Sequence, residues 1–521
     1  MTASTEVFAR TDPPAPTRAH ALSWLVIAAV VLVIGAGIVL RFLTTVDLWL
    51  DEALSVNIAR LPLSDLRGAL KHDGAPPLYY VLLHFWIDVF GTGDVAVRAL
   101  SGVLSVATLP LAYLAGKRIG GRSVAWWSVL ILAVSPYAVR YATETRMYAL
   151  VMFLVLWGYL ALRRALDAPT LPRLAVVALV TALLVYSLYW SFYVVAVVGA
   201  GLLVAWRRGS PPTRHAAPRI VVAMVVGGLT LLPWLPTLVF QFEHTGTPWG
   251  DAVTPWFAFA RALIGFVGGE ERSEDFLLIA PLLVLPLLAL FGVALDRNRI
   301  ELDLRTRPEV RLEAAGAFAI LVLGLTVSWL GGTAFDPRYA AVMFPLLVLV
   351  TAYGLTTFAD PRVRTGILVV VLGLGLVSSA RNISEDRTQA AQPAEVIRAE
   401  ARRNDLVVYC PDQVGPDVSR LLEGLPLRQK TFPSGARPER VNWVDYEDRL
   451  AAADAVAFAK RMLREAGEST IWYVGSGGYR NVVGKCETIG ATLDDARTPE
   501  VRVLPDDEIF ELMGLTAYRA P

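Results

Sequence analysis

The sequence predicts an all-α polytopic membrane protein, with about eleven transmembrane helices, followed by a small C-terminal α/β domain. Hydrophobic residues make up 55% of the 521 residues and charged residues only 18%, whereas soluble domains are about 25% charged. Apolar runs close to the roughly 20 residues that a helix needs to cross a bilayer recur along the chain. After residue 380, strand-length apolar segments alternate with helical stretches instead. The net charge of +1 gives no overall field that would favour nucleic acid as a partner.

Residues 1–22 are polar and rich in proline, and we predict a disordered cytoplasmic tail there. The transmembrane domain is predicted over residues 23–380. Its predicted spans are residues 23–42, 99–115, 124–139, 147–162, 171–189, 191–206, 220–240, 276–295, 312–330, 339–358 and 366–380. Residues 77–90 are also apolar, but this run is short and contains His84 and Asp88, which favours an interfacial amphipathic helix over a span.

Arginine placement predicts the orientation, because cytoplasmic loops carry the excess of lysine and arginine. If residues 77–90 do not span, the basic clusters within 117–122, 163–164, 207–219, 297–311 and 362–364 all lie on the side of the N-terminal tail. We therefore expect a cytoplasmic N-terminus. The first loop, 44–98, and the α/β domain, 381–521, are expected outside the cytoplasm.

The α/β domain contains the only two cysteines of the chain, Cys410 and Cys486. Outside the cytoplasm such a pair favours a disulfide over a metal site. No histidine and cysteine spacing is typical of zinc, and no nucleotide-binding loop is present. We expect no metal and no required cofactor, although acidic side chains in the outer loops could bind a divalent cation.

Asp51 and Glu52 come just outside the first predicted span, directly after an apolar aromatic segment at the membrane surface. Two carboxylates near a low dielectric are costly unless something compensates for them. They could mark a helix N-terminus, since acids in a first turn complement the helix dipole. They could equally act in general base catalysis.

A second polar group lies later in the same loop, where Lys71, His72 and Asp73 precede a Pro-Pro turn and Tyr79. An ordinary interfacial loop would explain each residue singly. Together, however, a lysine, a histidine and an aspartate beside tyrosines are as typical of a substrate-binding site as of an ordinary loop.

Arginines mark two further outer segments. Arg140, Glu144 and Tyr148 have the i, i+4 spacing that places side chains on one helix face. Arg338 and Tyr339 open a late span. Such arginines could extend to lipid headgroups, or they could bind a phosphate, which a guanidinium contacts bidentately.

Together these segments resemble the C-type membrane glycosyltransferases, and most closely the family 39 group of protein O-mannosyltransferases and lipid A aminoarabinose transferases. The resemblance rests on Asp-Glu after the first span, His-Asp-x-x-Pro-Pro-Leu-Tyr-Tyr, Glu-x-Arg-x-Tyr and the late Arg-Tyr. It covers residues 24–380 and excludes the α/β domain. His72 and Asp73 stand where the aminoarabinose enzymes tend to have a lysine, so the donor contact at that position departs from their pattern.

The resemblance implies an enzyme of a bacterial plasma membrane that transfers a sugar from a polyprenyl-phosphate donor. The family default is mannose, and the acceptor is a glycan, a glycolipid or a protein. Asp51 is implied to be the catalytic base with Glu52 as its acidic partner. Arg146 and Arg338, together with Lys71, are implied to hold the donor phosphate. A single displacement of this kind inverts the anomeric carbon.

Two other functions compete with this one. A lipid or polysaccharide transporter would place polar groups along a path through the membrane, and it would often show repeated halves with broken helices. A non-catalytic envelope scaffold would use the C-terminal domain to bind a partner.

Overall fold

The computed structural model describes residues 24–269, 276–297, 299–479, 482 and 484–520. The predicted disordered tail, residues 1–22, lies outside the described residues. The helices of the membrane part are α1 Trp24–Leu40, α2 Leu50–Ala59, α3 Leu63–Asp73, α4 Leu78–Phe90, α5 Asp94–Ala133, α6 Pro136–Ala142, α7 Tyr148–Asp167, α8 Leu171–Val185, α9 Ser191–Arg208, α10 Pro211–Leu229, α11 Leu235–His244, α12 Pro255–Val267, α13 Phe276–Phe291, α14 Arg311–Leu330, α15 Phe344–Gly354 and α16 Pro361–Ser384.

Every predicted span overlaps at least one of these helices, and the helical membrane fold is confirmed. In the described part of the chain, six helical stretches are long and apolar enough to cross a membrane, and six apolar helices are shorter. The total of eleven spans therefore stays a prediction. Spans 99–115 and 124–139 join through a bend in α5, where Gly121 adopts φ +75°, a conformation that residues with a Cβ rarely adopt.

The first outer loop is itself helical, because it folds into α2, α3 and α4. Gly74 ends α3 with φ +87°, and the Pro-Pro pair that follows directs the chain into α4. The stretch between the predicted spans 220–240 and 276–295 is not only loop, because an apolar helix, α12, forms within it. A short antiparallel hairpin, β1 Gly292–Ala294 and β2 Ile300–Leu302, follows α13.

The C-terminal domain is the predicted α/β unit. Its strands are β3 Leu406–Cys410, β4 Arg428–Thr431, β5 Ile471–Gly475, β6 Pro499–Val503 and β7 Gly514–Tyr518, and its helices are α17 Ala391–Glu400, α18 Gly415–Leu421, α19 Tyr446–Ala452, α20 Ala455–Ala466 and α21 Lys485–Asp494. The sheet order is β4-β3-β5-β7-β6, with β3 parallel to β4 and β5, and β7 antiparallel to β5 and β6. Helices α19 and α20 are separate, because the Asp454 side chain accepts a hydrogen bond from Ala457 N and starts α20 there.

The two parts of the molecule share a hydrophobic core. Trp49, Leu50 and Leu54, at the start of α2, are buried in one cluster with residues of β3, such as Leu406. Within the domain, the predicted disulfide forms between Cys410 and Cys486, whose Cα atoms are 5.6 Å apart. The C-terminal domain is thus packed against the helix that carries the two candidate acids.

Candidate functional site

Helix α2 presents Asp51 and Glu52 to different surroundings. Both acids lie in the first turn, where a negative charge complements the helix dipole. Successive side chains on a helix point about 100° apart, since 3.6 residues make one turn. A position at the helix start is therefore compatible with a chemical role. The surroundings of the two side chains differ, and this difference separates the role of Asp51 from that of Glu52.

Asp51 lies between two arginines that are far apart in the sequence. Arg338 Nη1 donates to Asp51 Oδ2 at 2.6 Å, and Arg146 Nη2 is 3.7 Å from the same oxygen. The Asp51 side chain is 18% exposed, and the two arginine side chains are 14% and 13% exposed. The structure thus joins one accessible carboxylate and two partly accessible guanidinium groups in a single cluster.

Arg338 is held by its own segment and by aromatic rings. It lies in the 3₁₀ helix Pro337–Val342, where Asp336 Oδ1 accepts a hydrogen bond from Arg338 N at 3.0 Å. Its guanidinium carbon is 5.7, 5.4 and 5.9 Å from the ring centroids of Trp49, Trp249 and Tyr339. Such cation–π contacts stabilise the charge and fix the direction of the side chain.

Arg146 connects Asp51 to the predicted His-Asp segment. Its Nη1 donates to Ser55 Oγ and to the Tyr80 hydroxyl, both at 3.2 Å. The Tyr80 hydroxyl in turn donates to Asp73 Oδ2 at 2.8 Å. Burial raises the pKa of the Asp73 carboxyl, and the charge of Arg146 opposes that shift. Asp73 is therefore linked to Asp51 through a tyrosine and an arginine rather than by direct contact.

Glu52 is enclosed by a different arginine. The residue is fully buried, and its carboxylate accepts hydrogen bonds from Arg98 Nε at 2.8 Å, Arg98 Nη2 at 2.5 Å and Thr145 N at 2.8 Å. Arg98 also donates to the Val46 and Asp47 carbonyls of the preceding loop. This geometry fits a pair that fixes the loop and α2, and no surface of Glu52 is open to a substrate.

Several predicted substrate-binding residues have other contacts than Asp51. Lys71 Nζ is 3.8 Å from the Phe240 ring centroid, and His72 Nδ1 is 2.8 Å from the Gly68 carbonyl oxygen at an exposed position. The hydroxyl of the buried Tyr79 is 2.9 Å from that of Ser101. Substrate contacts by Lys71, His72 and Tyr79 stay predictions without support from this geometry.

The predicted helix face of Arg140, Glu144 and Tyr148 is wrong. Helix α6 ends at Ala142 and α7 begins at Tyr148, so Glu144 lies in the bend between them. Two contacts favour the break: the Thr143 hydroxyl donates to the Arg140 carbonyl at 3.0 Å, and Arg387 Nη1 donates to Glu144 Oε2 at 2.8 Å.

The three side chains consequently have separate surroundings. Arg140 Nη1 lies 3.4 Å from the Gly268 carbonyl oxygen. Tyr148 is buried, and its ring packs edge-to-face on Tyr141 at 4.9 Å. Tyr339, another predicted tyrosine, stacks on Trp190 at 5.6 Å and also contacts the Arg338 guanidinium. Tyr339 therefore lines the arginine cluster, whereas Arg140 faces another loop.

Sequence reasoning missed Arg98, Trp49 and Trp249. Arg98 had a signal, since it opens a predicted span beside an acidic loop. Trp49 adjoins the acids directly, but nothing local predicts its contact with Arg338. In the described ranges, no group of three or more histidine, cysteine or acidic side chains is arranged to hold a metal ion. The expectation that no cofactor is required stays a prediction.

Comparison with known proteins supports the family resemblance. Residues 74–236 match the family described as dolichyl-phosphate-mannose-protein mannosyltransferase. The search of curated proteins found no match.

Solved structures share the fold across nearly the whole chain. ArnT from Cupriavidus metallidurans in the apo state aligns over 95% of this chain and 98% of its own, with 14% identity and a TM-score of 0.61. The same protein bound to undecaprenyl phosphate aligns over 95% and 97%, with 15% identity and a TM-score of 0.54. The apo oligosaccharyltransferase of Archaeoglobus fulgidus aligns over 92% and 73%, with 10% identity and a TM-score of 0.50. The predicted C-type glycosyltransferase fold is confirmed.

Proposed function

We propose that this chain, which belongs with the polyprenyl-phosphate-sugar glycosyltransferases of the C-type fold, transfers a sugar to an acceptor hydroxyl with Asp51 as the base. The observation that carries the proposal is one accessible carboxylate held between Arg338 and Arg146. That cluster contains both groups that the reaction needs, an acceptor for a proton and cations for a leaving phosphate.

The arginines suit the donor phosphate. Guanidinium groups bind phosphate oxygens in bidentate geometry. Among the described residues, Arg146 Nε and Trp49 Nε1 are buried and make no hydrogen bond, so two donors near Asp51 have no acceptor in the protein. When the anomeric bond to the phosphate breaks, charge develops on the leaving polyprenyl phosphate, and fixed cations at that position lower the barrier.

Asp51 then receives the proton of the acceptor hydroxyl as the new glycosidic bond forms. In the structure its Oδ2 accepts a hydrogen bond from Arg338 Nη1 at 2.6 Å. A donor phosphate competes with Asp51 for the same guanidinium, so donor binding frees this carboxylate oxygen to meet the acceptor hydroxyl. One displacement by the acceptor inverts the anomeric carbon.

A small apolar crevice adjoins the segment that carries Arg338. It has a volume of about 50 Å³, and its lining includes Phe266, Phe344 and Val348. The rings of Phe266 and Phe344 pack on Tyr137, whose hydroxyl donates to the Pro337 carbonyl at 2.8 Å. This apolar lining suits the part of a prenyl chain that lies next to the donor phosphate.

The sugar, the acceptor and the orientation complete the proposal. Mannose is the first sugar to test, given the family that residues 74–236 match. The acceptor is a glycan, a glycolipid or a protein outside the cytoplasm, and membrane lipids surround the helices. We place the N-terminus in the cytoplasm and the C-terminal domain outside it, in a bacterial plasma membrane.

The test is a transfer assay with purified protein in lipid and a panel of polyprenyl-phosphate sugars. Wild type should transfer one of them, with inversion shown by NMR of the product, and Asp51→Asn should not. Asp65→Asn, at an exposed acid in the same loop, is the matched control and should behave as wild type. A folded Asp51→Asn protein with full activity would refute the assignment.

A further inference from the structure

The C-terminal domain contacts α2 at the end that carries Asp51. The Leu50 amide, one of the first in the helix, donates to both carboxylate oxygens of Glu511, at 3.0 and 3.2 Å. Glu511 is only 4% exposed. The first N–H groups of a helix have no partner inside it, and Trp49 at the N-cap position has no side-chain oxygen to supply one. A residue 461 positions away therefore caps this helix.

Glu511 is itself fixed by the segment that leaves the last membrane helix. Its amide donates to the Arg387 carbonyl at 2.9 Å, and its carbonyl accepts from Gln389 N at 3.1 Å. The Arg387 side chain continues to Glu144 Oε2 at 2.8 Å, in the bend that also carries Arg146. The C-terminal part thus contacts two of the three chain segments that form the Asp51 cluster, α2 through Glu511 and the bend before α7 through Arg387.

We propose that Glu511 is a positioning residue, which fixes the amino end of α2 and thereby directs Asp51 toward the reacting groups. The inference rests on the proposed function and adds that the C-terminal domain takes part in transfer. A carboxylate that must meet both a guanidinium and an acceptor hydroxyl tolerates little displacement, because a shift of about 1 Å can lower a rate by about 100-fold.

Glu511→Ala and Glu511→Gln test this role. Removal of the cap should lower kcat by about 10- to 100-fold and leave KM for the donor nearly unchanged. The glutamine variant keeps an acceptor for the Leu50 amide and should restore most of the rate. Burial and the nearby Asp417 raise the pKa of the Glu511 carboxyl, so a neutral side chain is a close substitute.

The matched control is Glu423→Ala. Glu423 pairs with Arg60 at 2.6 Å, at the opposite end of the same helix and between the same two parts of the chain. Its loss should leave kcat unchanged. Equal losses in Glu423→Ala and Glu511→Ala would overturn the proposal, as would an unchanged kcat in Glu511→Ala.

Hydrogen–deuterium exchange of a peptide that spans 47–56 separates this inference from the proposed function. Exchange should rise in Glu511→Ala and stay near wild type in Glu511→Gln and Glu423→Ala. This pattern would support the cap even if wild type transferred no polyprenyl-phosphate sugar, in which case only the proposed function fails. Unchanged exchange in Glu511→Ala would overturn the inference, whatever the wild-type activity.

Discussion

Asp51 and Glu52 are neighbours in one helical turn, yet their surroundings differ in almost every respect. Asp51 is partly exposed, and among the described residues only Arg338 lies within hydrogen-bonding distance of its carboxylate, with Arg146 at 3.7 Å. Glu52 is fully buried, and Arg98 and the Thr145 amide occupy both of its oxygens. The same chemical group can therefore be available for reaction at one position and part of the scaffold at the next. Accessibility separates the two roles here, since both acids contact arginine.

The largest expected effect of removing a cation falls on the Asp51 side. Arg338→Ala should lower kcat by about 10²-fold or more, because it removes a fixed charge from the leaving phosphate. Steady-state transfer measurements against donor concentration check this. Arg60→Ala, at a surface ion pair, is the control and should change the rate little. Wild-type kinetics in an Arg338→Ala protein would show that Arg338 does not stabilise the leaving phosphate.

On the Glu52 side, stability should change more than chemistry. Glu52→Gln leaves the buried Arg98 charge without its partner, which costs about 3–5 kcal/mol for a buried pair. Unfolding measured in detergent should show this loss, while transfer per folded molecule stays within about tenfold of wild type. A stable but inactive Glu52→Gln protein would show instead that Glu52 takes part in the reaction.

A third acid extends the comparison, because Asp412 is hydrogen-bonded by a neutral partner. It is buried in the C-terminal domain, and the Tyr446 hydroxyl donates to it at 2.6 Å. Burial raises its pKa from 3.8 to about 7. Unfolding therefore releases a proton between these values, and stability falls as pH rises from about 4 to about 7. Asp412→Asn, which keeps an acceptor for Tyr446, should make that fall smaller, as melting temperatures at pH 5 and pH 8 would show. An identical pH dependence would contradict the assignment.

The smallest effect is expected from chelation. If Arg146 and Arg338 supply the positive charge that the leaving phosphate needs, EDTA should leave the transfer rate unchanged within about twofold. Activity before and after EDTA treatment measures this directly. A loss that Mg²⁺ or Mn²⁺ restores would show that a divalent cation shares the role of the arginines.

The sequence predicted the helices better than the contacts between them. Apolar runs predict the helices of the spans and the amphipathic α4. They do not predict α2 and α3, which contain many polar residues, or α12, which is only 13 residues long. Strand β4 has the sequence Arg-Gln-Lys-Thr, at the edge of the sheet, so no apolar pattern indicates it. The motifs predicted Asp51, Arg146 and Arg338, since each follows a recognisable local pattern.

The residues that could not be predicted act over long distances in the chain. Arg98 binds the carboxylate of Glu52 and encloses it, although Asp51 and Glu52 look equivalent in the sequence. Glu511 caps α2 from 461 positions away, and no spacing rule connects the two. Tertiary packing alone decides which acid is enclosed and which stays open.

A side-by-side measurement of Asp51→Asn and Glu52→Gln tests the central claim most directly. Single-turnover transfer should be followed with one active donor and normalised to folded protein. Removal of a general base typically costs about 10²–10⁴-fold, so we expect Asp51→Asn to fall by about 10³-fold and Glu52→Gln to stay within about tenfold of wild type. Full transfer by Asp51→Asn, or a larger loss in Glu52→Gln, would contradict the account.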